Sequence, residues 1–298
     1  MKLIKPSFEI IEQSPGLLGI YKQIEQAGRI CYKSEDKITD DSSEAFVQKM
    51  VDSNHTAMLE HGTVYLKISH TSPIHDIEYF KAVGLYVFYK RNSYSKVVEK
   101  SEDYYKIHYY ITTNYRVIVE NNRFEDLQYL CEPTEYHERR HSVKFIADAG
   151  VMREFFRHRV FSMAQESTRY CNYSSNKFNN EITFIIPPWC NIPENLDTKE
   201  LLRLEEMIAM NSFENRFFYN CICAESSYNE LISLGYKPQQ ARVVLPLSIK
   251  AEGIMTGFAS DWQHFFDLRA IGTTGAPHPQ AKELAEPLMN EFINRKYI

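Results

Sequence analysis

Glu154-Phe-Phe-Arg-His-Arg-Val-Phe-Ser-Met-Ala-Gln-Glu-Ser-Thr-Arg-Tyr170 is the stretch from which the rest of this chain is read. Three arginines, one histidine, two carboxylates and three Ser/Thr hydroxyls fall within seventeen positions, with Ser167 eight residues after Arg159. An ordinary amphipathic helix separates one apolar face from one solvated face. Guanidinium groups offer planar, bidentate hydrogen bonds to phosphate and to imide or carboxylate edges, and hydroxyls fill a phosphate's remaining oxygens. The bland alternative is a salt-bridged helix surface, with Glu154 paired to Arg157 or His158 at i,i+3 and i,i+4. Against it, Phe155, Phe156, Val160, Phe161 and Met163 set the charges in an apolar context, where a partly buried arginine needs an anion.

Working outward, Val143-Lys-Phe-Ile146 reads as a strand and Gly150 as the break before a helix carrying Met152 to Arg157. Downstream, a strand begins near Ile182 and ends at Pro187 and Pro188, and a long helix runs from about 198 to 234, with Gly235 at its C′ position. Pro238 opens a short helical piece through Arg242 that Leu245-Pro246 breaks, and helices follow near 258–268 and 280–295. Upstream, 17–33 and 42–53 read as helices, with Asp40, Asp41 and Ser42 as candidate N-caps for the second. Residues 63–69 alternate like a strand, and 109–119 read as a β segment with a hairpin turn near Asn114. About 71–140 is a β-rich elaboration. Strands and helices do not alternate strictly, so the expectation is one α+β domain over 1–298, a mixed or antiparallel sheet flanked by helices. No GxGxxG fingerprint is present, so a dinucleotide would not bind by the Rossmann turn.

With 298 residues, 44% of them hydrophobic, the chain can bury a large core. A net charge of −5 argues against a nucleic-acid binder, so local basic clusters must serve small anions. No segment approaches the roughly 20 apolar residues of a membrane span, and the expectation is a soluble cytoplasmic protein. Six scattered cysteines without CxxC pairs fit reduced thiols.

Other candidates stand beside simpler readings. His137-Glu-Arg-Arg-His141 matches HExxH formally, but Pro133 precedes it, a strand follows it and Arg139-Arg140 would sit beside the cation, so a solvated turn is the better account and no metal site is expected. Cys190, after Pro187-Pro-Trp, has no basic neighbour to activate it and reads as packed or exposed, not nucleophilic. Cys221 and Cys223 point to different helix faces. His55 and His61, six apart before the first strand, do not share a helix face and are weak evidence alone. Asp267-Leu-Arg269 reads as a helix end, and Arg242 lies among apolar residues where it reaches a partner or snorkels to water.

Together these pieces resemble the flavin-dependent thymidylate synthases. The signature is RHR, seven residues, then Ser, continuing into Ser167-Thr-Arg-Tyr170; a chance match in a chain this long is on the order of one in a thousand. His55 to His61 is similar to the family's H-x5-H element, Ala241-Arg-Val-Val-Leu-Pro-Leu247 to its late arginine segment, and Phe265-Phe-Asp-Leu-Arg269 with His278-Pro-Gln280 to its C-terminal one. The resemblance implies that family's fold and conversion of dUMP to dTMP, with methylenetetrahydrofolate as one-carbon donor, FAD relaying hydride and NADPH reducing the flavin, in active sites between subunits of a homotetramer. It implies Arg269 and His55 as catalytic positions. It implies Arg157, His158, Arg159, Glu166, His55 and His264 at the flavin, and Glu154, Arg157, Glu166, Ser167, Thr168, Arg169, Arg242 and Arg269 at dUMP, with Ser167 and Arg169 nearest its phosphate and Arg269 on the uracil edge.

The chain departs from the family at Ala57, where a hydroxyl is common, and at Phe258 and Ser260, where Asn and Arg often bind cofactor. Thr273 to Pro277 lengthens the loop after Arg269, and 71–140 has no counterpart. The competing readings are a zinc hydrolase using His137, Glu138 and His141, and a nucleotide-binding regulatory domain without turnover.

Overall fold

A computed structural model of the chain describes residues 1–71, 77–102, 106–175, 181–196, 200, 203 and 212–298. At its centre is a four-stranded antiparallel sheet in the order β2 (Ser7–Ile11), β6 (Arg140–Asp148), β9 (Lys250–Phe258), β7 (Ser162–Gln165). Alternation along β6 sends Val143, Phe145 and Ala147 to one face, where α5 (Ala149–Phe155), α8 (Ala259–Phe266) and α9 (Pro279–Asn294) bury Met152, Phe155, Trp262, Phe265, Leu288 and Phe292 against them. Ile254 and Ala164 face the other way, onto Ala27 and Ile30 of α1 (Gly16–Ile30). Helices thus cover both faces, and the expected α+β class is what the chain adopts.

A second antiparallel sheet, β3 (Thr63–Thr71), β5 (Lys106–Asn114), β4 (Lys96–Ser101), carries much of the 71–140 elaboration. Its Val64, Leu66, Ile68 and Ile111 pack on α3 (Ile77–Arg91), on α2 (Ser42–Asp52) and on Ile20 and Ile24 of α1. A third core joins the parallel pair β1 (Lys2–Ile4) and β8 (Thr183–Ile185) to α6 (Phe213–Ser233) and α7 (Pro238–Ala241).

Several expectations need correction. No hairpin turns at Asn114: its side chain accepts the Val117 amide at 3.2 Å and caps α4 (Tyr115–Glu120), because Asn suits an N-cap as well as a turn. Residues 86–91 are helical despite their β-forming composition, since Ala82, Leu85 and Tyr89 are buried in the second core and packing overrides propensity. Asp41 occupies the N-cap of α2 without a side-chain bond, while Ser42 Oγ accepts the Thr39 amide and donates to Glu25. The helix before the motif stops at Phe155, not Arg157. Gly235 follows α6 at φ 90, as expected of a C′ glycine; most of the long helix's expected first part, 198–211, lies outside the described residues. Among the described residues, no helix is long and apolar enough to cross a membrane.

Candidate functional site

Asp148, the last residue of β6, caps α5 through the Val151 amide at 2.9 Å, and α5 completes barely two turns. The backbone then turns, with Arg157 N on Glu154 O, His158 N on Phe155 O and Phe161 N on His158 O, before β7 begins. Arg157, His158 and Arg159 therefore sit on a turn, not on a helix. Arg157 and Arg159 are exposed, whereas His158 is buried against Phe161 and Phe265.

What meets His158 comes from the far end of the chain. After α8 the helix widens into a π turn, Asp267–Ile271, closed by Gly272 at φ 81, a left-handed position that favours glycine. From this turn Arg269 Nε donates to His158 Nε2 at 3.1 Å, Nη1 to the Glu154 carboxylate at 2.9 Å and Nη2 to the Glu154 carbonyl at 3.1 Å. Glu154 therefore pairs with Arg269, and neither Arg157 nor His158 is its partner through a helix-surface bridge. A guanidinium has no acceptor, so His158 Nε2 must be unprotonated and the ring neutral with its proton on Nδ1. Burial, then the charge of Arg269 and the neighbouring His264, lowers the His158 pKa to about 4. The His264 ring lies 6.1 Å from that of His158. One neighbourhood thus holds Glu154, His158, His264 and Arg269.

A second neighbourhood forms where β7 runs out. Arg242 Nη1 donates to Thr168 Oγ1 at 2.9 Å, and both line a cavity of about 540 Å³ together with Arg153 and Gln239. Helix α5 stands between the two neighbourhoods, turning Arg153 to this cavity and the next residue, Glu154, to Arg269. Ser167 Oγ accepts the Arg169 amide at 3.3 Å, and Arg169 lies over the Tyr170 ring. Glu166 is buried, accepting from Tyr173 Oη at 3.1 Å, with Lys250 Nζ 3.1 Å from its other oxygen.

His55 lies apart from both, on a cavity of about 940 Å³ lined by Arg29, Cys31, Tyr32, Lys37, Phe46, Lys49, Ala57, Met58 and Arg116. Tyr32 packs on Tyr170, so this cavity and the Ser167 segment share a wall. His61 is fully buried, with Nδ1 2.8 Å from Thr256 Oγ1, and burial followed by the charge of Arg140 lowers its pKa to about 3. It is a neutral core histidine.

The departures at 258–260 are occupied from the inserted segment. Ser260 Oγ donates to Glu138 at 2.5 Å and accepts from Lys96 at 2.7 Å, and Lys96 and Arg140 lie over the Phe258 ring. Lys96 and Arg116 escape sequence reading because nothing in their spacing marks them, and Glu138 and Arg140 are noticed there only as part of the formal zinc motif. Lys250 and Glu252 escape because β9 escapes: Gly253 and Gly257 interrupt its alternation.

The zinc motif is no site. His137 is buried in a turn, not solvated; its Nδ1 accepts from the Thr134 amide at 3.0 Å and its Nε2 lies 3.1 Å from the Leu66 carbonyl, so both ring nitrogens are taken. His141 belongs to a strand and stacks on Tyr297. Among the described residues, no group of three His, Cys, Asp or Glu side chains could hold a metal ion. Cys190 and Cys221 are buried, and burial first raises their thiols to about 11 and about 12, which leaves no thiolate.

A profile of the family described as "Thymidylate synthase complementing protein" matches residues 140–295, just over half of the chain, from the first residue of β6 past the end of α9. The chain belongs to this family. The chain is also similar to flavin-dependent thymidylate synthases of Thermosipho melanesiensis, 31% identical over 125 residues, and of Corynebacterium efficiens, 31% identical over 123. Those alignments cover 40% and 39% of this chain and 49% and 44% of the two relatives, so the chain spans about half the length of the curated relatives it matches. Solved structures of the UMP/dUMP methylase PolB from Streptomyces cacaoi, with 5-Br dUMP and with 5-Br UMP, align at 16% and 13% identity, each with a TM-score of 0.43. They cover 99% and 98% of this chain and 93% and 91% of their own. The matched segment 140–295 contains both the Arg269 and the Arg242 neighbourhoods, whereas His55 and the inserted sheet precede it.

Proposed function

We propose that the protein is a flavin-dependent thymidylate synthase, methylating dUMP to dTMP with methylenetetrahydrofolate as one-carbon donor and NADPH as reductant. The observation that carries this reading is Arg269 held by Glu154 and His158, residues more than a hundred positions away in sequence. Of a guanidinium's five N–H donors the fold uses three, and a uracil imide edge takes the two that remain. A fixed positive charge there favours ionisation at N3, which raises electron density at C5 and makes that carbon the nucleophile. Ser167, Thr168, Arg169 and Arg242 supply hydroxyls and cations for the phosphate, with Arg157 and Glu166 on the nucleotide's remaining edges.

A flavin suits the residues present. The cavity beside His55 offers Arg29, Lys37, Lys49 and Arg116 to a diphosphate and Tyr32 and Phe46 to a ring system. FAD bound there would supply the hydride chemistry that no side chain can, and His158, Arg159 and His264, which do not line this cavity in one chain, would reach it from another subunit. The chain divides these residues among separate neighbourhoods and leaves Arg157 and Arg159 exposed, which supports an active site completed between subunits of a homotetramer.

Purified protein mixed with dUMP, methylenetetrahydrofolate and NADPH under low oxygen is the direct test. Flavin oxidation coupled to dTMP is the expected result. Bound FAD without dTMP would favour a regulatory domain, and stoichiometric zinc without yellow colour would sink the flavin reading.

A further inference from the structure

Glu252, on β9, is buried with three ammonium groups at its carboxylate: Lys250 at 2.6 Å, Lys33 at 2.6 Å and Lys144 at 3.2 Å. Lys250 also lies 3.1 Å from Glu166, and Lys33 3.1 Å from Glu35. The three cations balance Glu35, Glu166 and Glu252, which leaves no net charge to attract a ligand and makes the cluster a fastening. Burial alone would raise the Glu252 pKa, but Lys250 and Lys33 overcome it and hold the carboxyl at about 2, ionised at any working pH.

The backbone shows what is fastened. Glu166 N donates to Glu252 O at 2.9 Å and Ser167 N to Cys31 O at 3.0 Å, so two successive amides are strung between β9 and the residue that follows α1. Lys33 stands two residues beyond Cys31 at φ 50, a left-handed conformation that glycine adopts without strain and lysine does not. What lysine gains at that position is the reach to Glu252.

We propose that Lys33 and Glu252 are positioning residues for the segment Glu166–Arg169: their ion pair joins the end of α1 to β9, fixes the span across which the two amides are strung, and so orients Ser167 and Thr168. The inference rests on reading that segment as the dUMP phosphate site.

Lys33→Gly tests it, because glycine suits the backbone and removes only the side chain. Calorimetric titration with dUMP, hydrogen exchange of peptides spanning 166–171 and a melting curve are compared for the unmodified protein, Lys33→Gly and Lys33→Arg. The expected result for Lys33→Gly is a dUMP Kd raised about tenfold and 166–171 exchanging about tenfold faster, beyond any change elsewhere in α1 and β9 that a lowered Tm brings, with Lys33→Arg restoring both. An unchanged Kd, unchanged exchange, or equally faster exchange in all of α1 and β9 overturns the proposal. If the unmodified protein takes up no dUMP, the functional reading fails instead, and the exchange rates still judge the fastening.

Discussion

The neutrality of His158 can be measured without any substrate. Its Nε2 accepts from Arg269, a permanent donor, and burial first, then the Arg269 charge, lowers its pKa from 6.5 to about 4, so the fold holds the ring neutral. The unfolded chain therefore binds more protons than the folded one between about pH 4 and 6.5. Stability rises with pH across that window and is lost as pH falls through it. Integrated from pH 7 to pH 5, this one ring costs about 2 kcal/mol. His61 and His141 are likewise buried, with pKa values lowered to about 3 and about 4, so the whole protein loses more, and a reference that isolates His158 is needed. His158→Gln supplies it, since a glutamine can present its amide oxygen to Arg269 and does not titrate. Urea unfolding followed by far-UV circular dichroism at pH 7 and pH 5, free of nucleotide and flavin, gives the four stabilities. The unmodified protein should lose about 2 kcal/mol more than His158→Gln over that interval. Equal losses would mean that His158 is not held neutral and that the contact with Arg269 is absent.

Arg269→Ala should lower dTMP formation at least about a hundredfold while flavin absorbance is retained, and equal loss of both would mean its role is misassigned. Gly257→Ala places a Cβ 2.5 Å from the Phe161 ring, so urea unfolding should show about 1–3 kcal/mol of lost stability, with activity falling as the His158 turn is pushed off the sheet. Thr168→Val removes the acceptor of Arg242 and should raise the dUMP KM by about three- to tenfold with kcat nearly unchanged. Dialysis against a chelator should leave turnover unchanged, because both ring nitrogens of His137 are already bonded; restoration of lost activity by zinc would contradict that.

How much of this was legible in the sequence depended on whether a local signal existed. Helix α1, α2, the α6 stop at Gly235 and the Pro238 start carry apolar periodicity, glycine or proline, and each was readable to within a few residues. β9 carries none: it is buried on both faces and its two glycines answer to close neighbours, Met152 above Gly253 and Phe161 against Gly257, not to strand propensity. The same holds for the site. The motif residues were visible as a dense run, but that Glu154 serves Arg269 and that His158 must be neutral are tertiary facts, set by a π turn more than a hundred positions away.

The inserted segment is where sequence reading had least to offer, and its contacts give it a position in the site. Lys96 and Glu138 both bond the Ser260 hydroxyl, at a position where the resemblance leads one to expect a cofactor contact. Arg116, held to Glu60 at 2.6 Å and Glu120 at 2.8 Å, lines the His55 cavity together with Ala57, which carries no hydroxyl. Thr56 offers no substitute, because its hydroxyl is already bonded to Glu120 at 2.7 Å. Strand β4 and helix α4 therefore contribute Lys96 and Arg116 beside Phe258, Ser260 and the cavity that Ala57 lines. Ser260 and Phe258 have charged partners from the insertion, and Arg116 lines the cavity that Ala57 also lines, so truncating the insertion should remove cavity wall and cofactor affinity together.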